Sequence, residues 1–368
     1  MRKSLTGALI VVLVVASGFL LTRTQADPRP PLSAALDTVP TSTHTANFTD
    51  WSGVRRALSP SLRSAETVRS DSAEATRSAF LDRAYDNDLS AVSVLGPVAQ
   101  EMVRAYGWSV FDSQWEMFAQ SNRGAVTVLA LRPDVQERTV LDGLRAVGYQ
   151  EPSSGASSGG VWRVSDDTAL GTVSALSPQL ANVAYLADRG LVVLSDAAGY
   201  AQRTTGVIEA SARSFGDRRD VTDTSRAIRD SDVAVVRSPR QGCRATSFDQ
   251  TDDGDRASAT RLSRAAGGLS AHSGLGLGLR QRDGRQRLEV AMRFGSEATA
   301  QDQAAVRARL ARGEAVGQGG SFGERFANVT PSARAGIGVL ELEVSDPAEG
   351  VLSDLGSGPL LFAWCGAS

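Results

Sequence analysis

Lysine is all but missing from this chain. Lys3 is the sole example in 368 residues, and every other basic residue is arginine. Beyond Lys3 there is no amine to form a Schiff base, act as a lysine base or hold a nucleotide phosphate. Histidine and cysteine are scarce too: the chain holds His44 and His272, Cys243 and Cys365. Their separations match no zinc-ligand spacing. A positive excess is also missing, because 39 basic residues face 41 acidic ones for a net charge of -2. No basic excess exists to neutralise phosphates along an extended site, which argues against nucleic-acid binding as the main task. No motif implies a cofactor. What the chain does hold is core-forming material: 42% apolar and 22% charged residues, with 36 glycines. A disordered or collagen-like chain is excluded, and the length suits one large or two medium domains.

The N-terminal residues set the expected compartment. Met1-Arg2-Lys3 is a cationic start, and residues 5–21 follow without a charge until Arg23. A run of this length is at the lower edge of a span across a hydrocarbon layer of about 30 Å. The cationic flank holds the N-terminus inside and exports the remainder. Residues 1–23 are therefore expected to be a signal anchor, with a single membrane pass and the body outside the cytoplasm. Thr24-Gln25-Ala26 is a small-x-small site, so the alternative is secretion after cleavage near Ala26. No cysteine follows the run, which excludes a lipoprotein anchor. Residues 24–45 carry Pro28, Pro30, Pro31 and Pro40 among Thr and Ser, and read as an extended linker ending at a solvated His44.

Two successive halves are expected beyond the linker. In residues 46–213, Asn47–Trp51 opens a helical turn with Thr49 or Asp50 as cap, and further helices cover 65–85 and the stretch from Pro97 to Tyr106. Trp115, Met117 and Ala119 alternate with polar neighbours and lead through Gly124 into a hairpin. Asp134 and Glu137 suggest a capped helix, and strands at 182–187 and 191–195 follow. Residues 214–231, rich in Arg and Asp, read as a junction. Residues 232–368 repeat the scheme: a strand at 233–236, a helix at 255–266, a hairpin across Asp283-Gly284, a helix capped by Ser296, and strands near 338–344 and 360–365. The expected fold class is α+β, pseudo-duplicated antiparallel sheets with helices on one face, after an N-terminal transmembrane helix and linker.

Few residues can carry chemistry. Export would place Cys243 and Cys365 in an oxidising setting, where an even count implies a disulfide. His272 is the only histidine inside the expected body, so a hydrolase would have to use His272 or a carboxylate pair. No local motif selects such a pair among the acidic residues. Gly274–Leu279 reads G-L-G-L-G-L, which misses the dinucleotide fingerprint and has a strand period; its bare face suits close packing. Asp249, Asp252, Asp253 and Asp255 resemble a calcium loop superficially, but Thr251 and Thr260 stand at ligand positions. An exposed turn with Asp255 as helix cap is the better reading.

The segments N-F-T-D-W (Asn47–Trp51), G-Q-G-G-S-F (Gly317–Phe322) and L-S-D-L-G-S-G-P-L-L-F-A-W-C (Leu352–Cys365) resemble a family of uncharacterised exported proteins of high-GC actinobacteria. The resemblance implies an envelope location and transfers no site residue. The functional expectation is a membrane-anchored, non-catalytic envelope protein that binds an envelope protein, lipid or polysaccharide. A hydrolase and a regulatory domain for a membrane partner are the alternatives.

Overall fold

A computed structural model describes residues 30–58, 73–164 and 167–366. The expected anchor at 5–21 and the cleavage site near Ala26 lie outside these residues. Among the described residues, no helix is long and apolar enough to cross a membrane.

The strands are β1 (Thr45–Thr49), β2 (Ser113–Ser121), β3 (Gly124–Leu131), β4 (Tyr149–Gln150), β5 (Ser158–Val164), β6 (Asn182–Leu186), β7 (Leu191–Ser195), β8 (Val233–Arg237), β9 (Leu275–Arg282), β10 (Arg285–Arg293), β11 (Phe326–Arg334) and β12 (Ile337–Val344). They form one 12-stranded sheet in the order β11-β12-β10-β9-β8-β1-β2-β3-β7-β6-β5-β4. Each pairing is antiparallel. At the centre, β1 and β8 pair through Ala46–Val236 and Phe48–Ala234. Outward from β1 come the β2–β3 hairpin, then β7 and β6; outward from β8 come the β9–β10 hairpin, then β12 and β11. The same succession thus runs in both directions, but the expected separate sheets are one. Alone, each half would expose the unpaired backbone edge of β1 or β8, and their pairing removes both edges.

The helices are α1 (Pro31–Leu36), α2 (Trp51–Leu58), α3 (Glu74–Asp86), α4 (Ala99–Tyr106), α5 (Glu137–Val147), α6 (Asp167–Leu176), α7 (Ala198–Ile208), α8 (Arg219–Ala227), α9 (Pro239–Ala245), α10 (Asp253–Ala265), α11 (Glu297–Leu310), α12 (Phe322–Arg325) and α13 (Val351–Ser357). They cover both faces of the sheet, not the single face expected. Leu32, Tyr200 and Val221 of α1, α7 and α8 pack with Met117, Val126 and Val236 on one face. Trp51, Met102, Leu144 and Ala308 of α2, α4, α5 and α11 pack with Leu129, Leu277 and Leu342 on the other. Burial on both faces is why Glu116, a supposed solvent-facing neighbour in β2, is 1% exposed.

Three boundaries are corrected. The linker expected over 24–45 gives way at Pro31 to α1, whose Leu32 and Leu36 are buried together with Val39. Their i, i+4, i+7 spacing is a helical stripe among the prolines. The supposed junction 214–231 is part of the core, since Phe215, Val221 and Ile228 are buried. Its helix α8 lies on the bare face of β9: added Cβ atoms at Gly274, Gly276 and Gly278 would stand 3.0, 3.0 and 2.0 Å from Asp220 O, Ile228 Cδ1 and Ser231 Oγ. The terminal segment is a 3₁₀ turn, Leu361–Ala363, rather than a strand, because side chains bond its carbonyls in place of a ladder partner.

Candidate functional site

The helix α9 leaves the central strand β8 with Pro239 in its first turn and carries Cys243 over the start of β9. Gly242 permits this approach, because a Cβ there would stand 3.1 Å from both His272 Cε1 and Leu275 Cβ. Cys243 and Cys365 form the expected disulfide, with Cα atoms 5.3 Å apart. His272 sits beside it and is 3% exposed. Its Nε2 is 2.9 Å from Ala363 O. A carbonyl can only accept, so Nε2 carries the proton and Nδ1 keeps its lone pair. Among the described residues, Nδ1 has no hydrogen-bond partner. One ligand atom from each of Cys243, His272 and Cys365 lies within 4.8 Å of the others. Chain separations of 29 and 122 residues gave no local sign of this cluster.

Arg307 of α11 completes the corner and is fully buried. Its Nη1 donates to Phe362 O at 3.0 Å and Trp364 O at 2.9 Å, and its Nη2 to Ser270 O at 2.7 Å. Burial pushes its pKa down to about 9. Burial and the Arg307 charge together push His272 down to about 3, against the hydrogen bond to Ala363. The His272 ring is thus enclosed, and its proton is committed to a backbone carbonyl.

A cleft of about 580 Å³ lies at the corresponding place in the first half, where α2 leaves β1. Ser52, Arg55 and Arg56 of α2 line it, with Gln114, Arg132 and Asp134 from the ends of β2 and β3. Arg55 and Arg132 are 5% and 6% exposed. Arg55 donates to Val110 O, Ser113 O and Ser52 Oγ, none of which carries charge. Burial first, and the Arg132 charge next, push its guanidinium down to about 10. Arg132 forks onto Asp134, with Nε–Oδ1 at 3.1 Å and Nη2–Oδ2 at 2.8 Å. Asp134 is thereby drawn away from the capping role expected of it; α5 starts behind Gln136 with no side-chain cap. Arg56, its side chain 67% exposed, stands on the rim 3.6 Å from Asp50. Three guanidiniums face one lining carboxylate. An oxyanion in the cleft would relieve the repulsion between Arg55 and Arg132 and accept from the exposed Arg56 guanidinium on the rim. Sequence reading missed these residues because no single arginine stands out in an arginine-rich chain.

Buried carboxylates are already committed to the fold. Asp50 N donates to Asp232 O at 2.7 Å across the β1–β8 junction. A Cβ on Gly53 would stand 2.6 Å from Asp232 Oδ1 and 2.8 Å from Asp50 Oδ2, so this pair flanks one glycine. Asp50 accepts from Gly53 N, and Asp232 accepts from Gln281 N and Arg282 Nη1. Burial raises the pKa of Asp50, opposed by the Gly53 N–H and the Arg56 charge. Glu116 accepts from Trp51 Nε1, Ser93 Oγ, Val94 N and Leu95 N, which fixes the loop ahead of α4; burial raises its pKa. Of the clustered aspartates, Asp252 and not Asp255 caps α10, accepting from Asp255 N at 2.9 Å. His44, expected in a solvated linker, donates its backbone N–H to Gln120 O beside β1.

No protein-family model and no curated protein matches this chain. Among solved structures, crystal form I of TP0453 is similar at 8% identity, a TM-score of 0.41 and coverage of 88% of this chain and 98% of that one. Crystal form III gives 8% identity, a TM-score of 0.43 and coverage of 87% and 97%. A likeness at this level carries no functional argument.

Proposed function

We propose that the protein is a membrane-tethered, extracytoplasmic binding protein whose body holds an oxyanion group of an envelope lipid or polysaccharide in the Arg55–Arg56–Arg132 cleft. The cleft carries this reading: it holds two buried guanidiniums side by side, one of them bound, among the described residues, by uncharged acceptors. Phosphate and carboxylate groups share the chemistry it suits. The uncharged run at 5–21 and its cationic flank support the tether and the outside location. Burial of His272 speaks against the hydrolase alternative through that residue. The body is non-catalytic on this account. Detergent-solubilised full chain should melt several degrees higher with excess inorganic phosphate or short-chain phosphatidylglycerol, and no higher with the matching phosphatidylcholine. Equal shifts with both lipids, or none with any phosphate compound, would sink the assignment.

A further inference from the structure

We propose that Cys243, Cys365 and His272 form a redox-gated metal site, closed as a disulfide and converted by reduction into a Cys₂His site for Zn²⁺. Tetrahedral zinc with Zn–S of about 2.3 Å and Zn–N of about 2.0–2.1 Å separates its sulfurs by about 3.8 Å and sulfur from nitrogen by about 3.6 Å. The ligand atoms here already lie within 4.8 Å of one another, so small side-chain rotations reach that geometry once the sulfurs part.

The histidine is prepared for the role. Its Nε2–H is held by a backbone carbonyl, the arrangement that fixes tautomer and ring orientation in metal-binding histidines. The lone pair on Nδ1 is left buried and, among the described residues, without a partner. Cys243 and Cys365 are each half-buried, which leaves a reductant, the ion and a fourth ligand water a route from solvent.

Reduction does not release the C-terminal segment. Arg307 holds Phe362 O and Trp364 O, while Thr246 Oγ1 and His272 Nε2 both hold Ala363 O. These bonds are independent of the disulfide and keep Cys365 opposite Cys243. In the switching step a dithiol supplies two electrons and two protons and is itself oxidised to a disulfide. The Cys243–Cys365 S–S bond breaks to give two thiols. Zinc then displaces both thiol protons and takes the Nδ1 lone pair.

The test uses detergent-solubilised full chain, reduced with a water-soluble phosphine that takes oxygen from water to become its oxide. Titration with Co²⁺ should give one ion per chain, with thiolate-to-cobalt charge-transfer absorption in the near ultraviolet that Zn²⁺ abolishes. The oxidised protein should give no such band. His272→Gln keeps an amide donor for Ala363 O but lacks Nδ1, and should weaken Co²⁺ binding at least about tenfold. Should that variant fail to fold, Zn²⁺ must raise the melting temperature of the reduced wild type and leave the oxidised protein unchanged. A reduced, folded protein without the charge-transfer band, a band in the oxidised protein, or unchanged affinity in His272→Gln overturns the proposal.

Discussion

His272 stays uncharged in the folded protein across the range in which a free imidazole titrates. Its pKa is pushed down to about 3 from 6.5 by burial and Arg307. Unfolded chains take up a proton below about pH 6.5 that the folded chain refuses, so this residue's contribution is present above that pH and is lost as the pH falls toward 3. The slope should be about 1.4 kcal/mol per pH unit in that window. Denaturant unfolding of the oxidised protein from pH 7 to pH 4 should show it, and His272→Gln should flatten the curve. An identical slope in the variant would show that other groups set the acid limit. At this scale the sequence was informative only where residues are rare. Two cysteines behind an expected export signal suffice to suggest the disulfide that is present. The partner of His272 is a carbonyl 91 residues away, and no local pattern encodes it. Arg55 and Arg132 are likewise hidden by the abundance of arginine, and only folding separates them from the surface arginines.

Elements with a strong period were legible, and those without one were not. The Asp283-Gly284 hairpin follows from a turn in which both residues take positive φ, 53° and 75°. The G-L-G-L-G-L strand follows from its period, and its glycine face receives α8 as close packing requires. Gly278→Ala should therefore force α8 away from β9, because the new Cβ would meet Ser231 Oγ and Ile228 Cβ at 2.0 and 2.9 Å. A loss of about 1–3 kcal/mol in equilibrium unfolding is expected. A variant as stable as wild type would mean that α8 does not rest there. By contrast β11 escaped notice, because it is an edge strand with Pro331 inside it and only Phe326 and Val329 buried. Its solvated face leaves no alternation to read. The terminal segment was misread for the opposite reason: Leu360–Trp364 is apolar throughout and buried, and a continuous apolar run does not distinguish a strand from a turn packed in a core.

At the scale of the molecule, the antiparallel sheet and the repeated order of elements could be anticipated, but the union of both halves could not. That union depends on β1 meeting β8, strands separated by most of the first half, and it decides where the two corners fall. Each corner is made where a helix leaves a central strand: α2 builds the arginine cleft and α9 the Cys–His corner. The account of function rests on the first of these. Calorimetric titration of solubilised full chain with short-chain phosphatidylglycerol, below its micelle concentration, tests it most directly. Wild type should bind one ligand per chain, with affinity that falls as salt rises. Arg56→Glu, a change on the exposed rim, should weaken binding at least about tenfold in a protein that still unfolds in one cooperative transition. Binding of equal strength in both proteins, or no saturable binding by wild type, would contradict an anion site in the cleft.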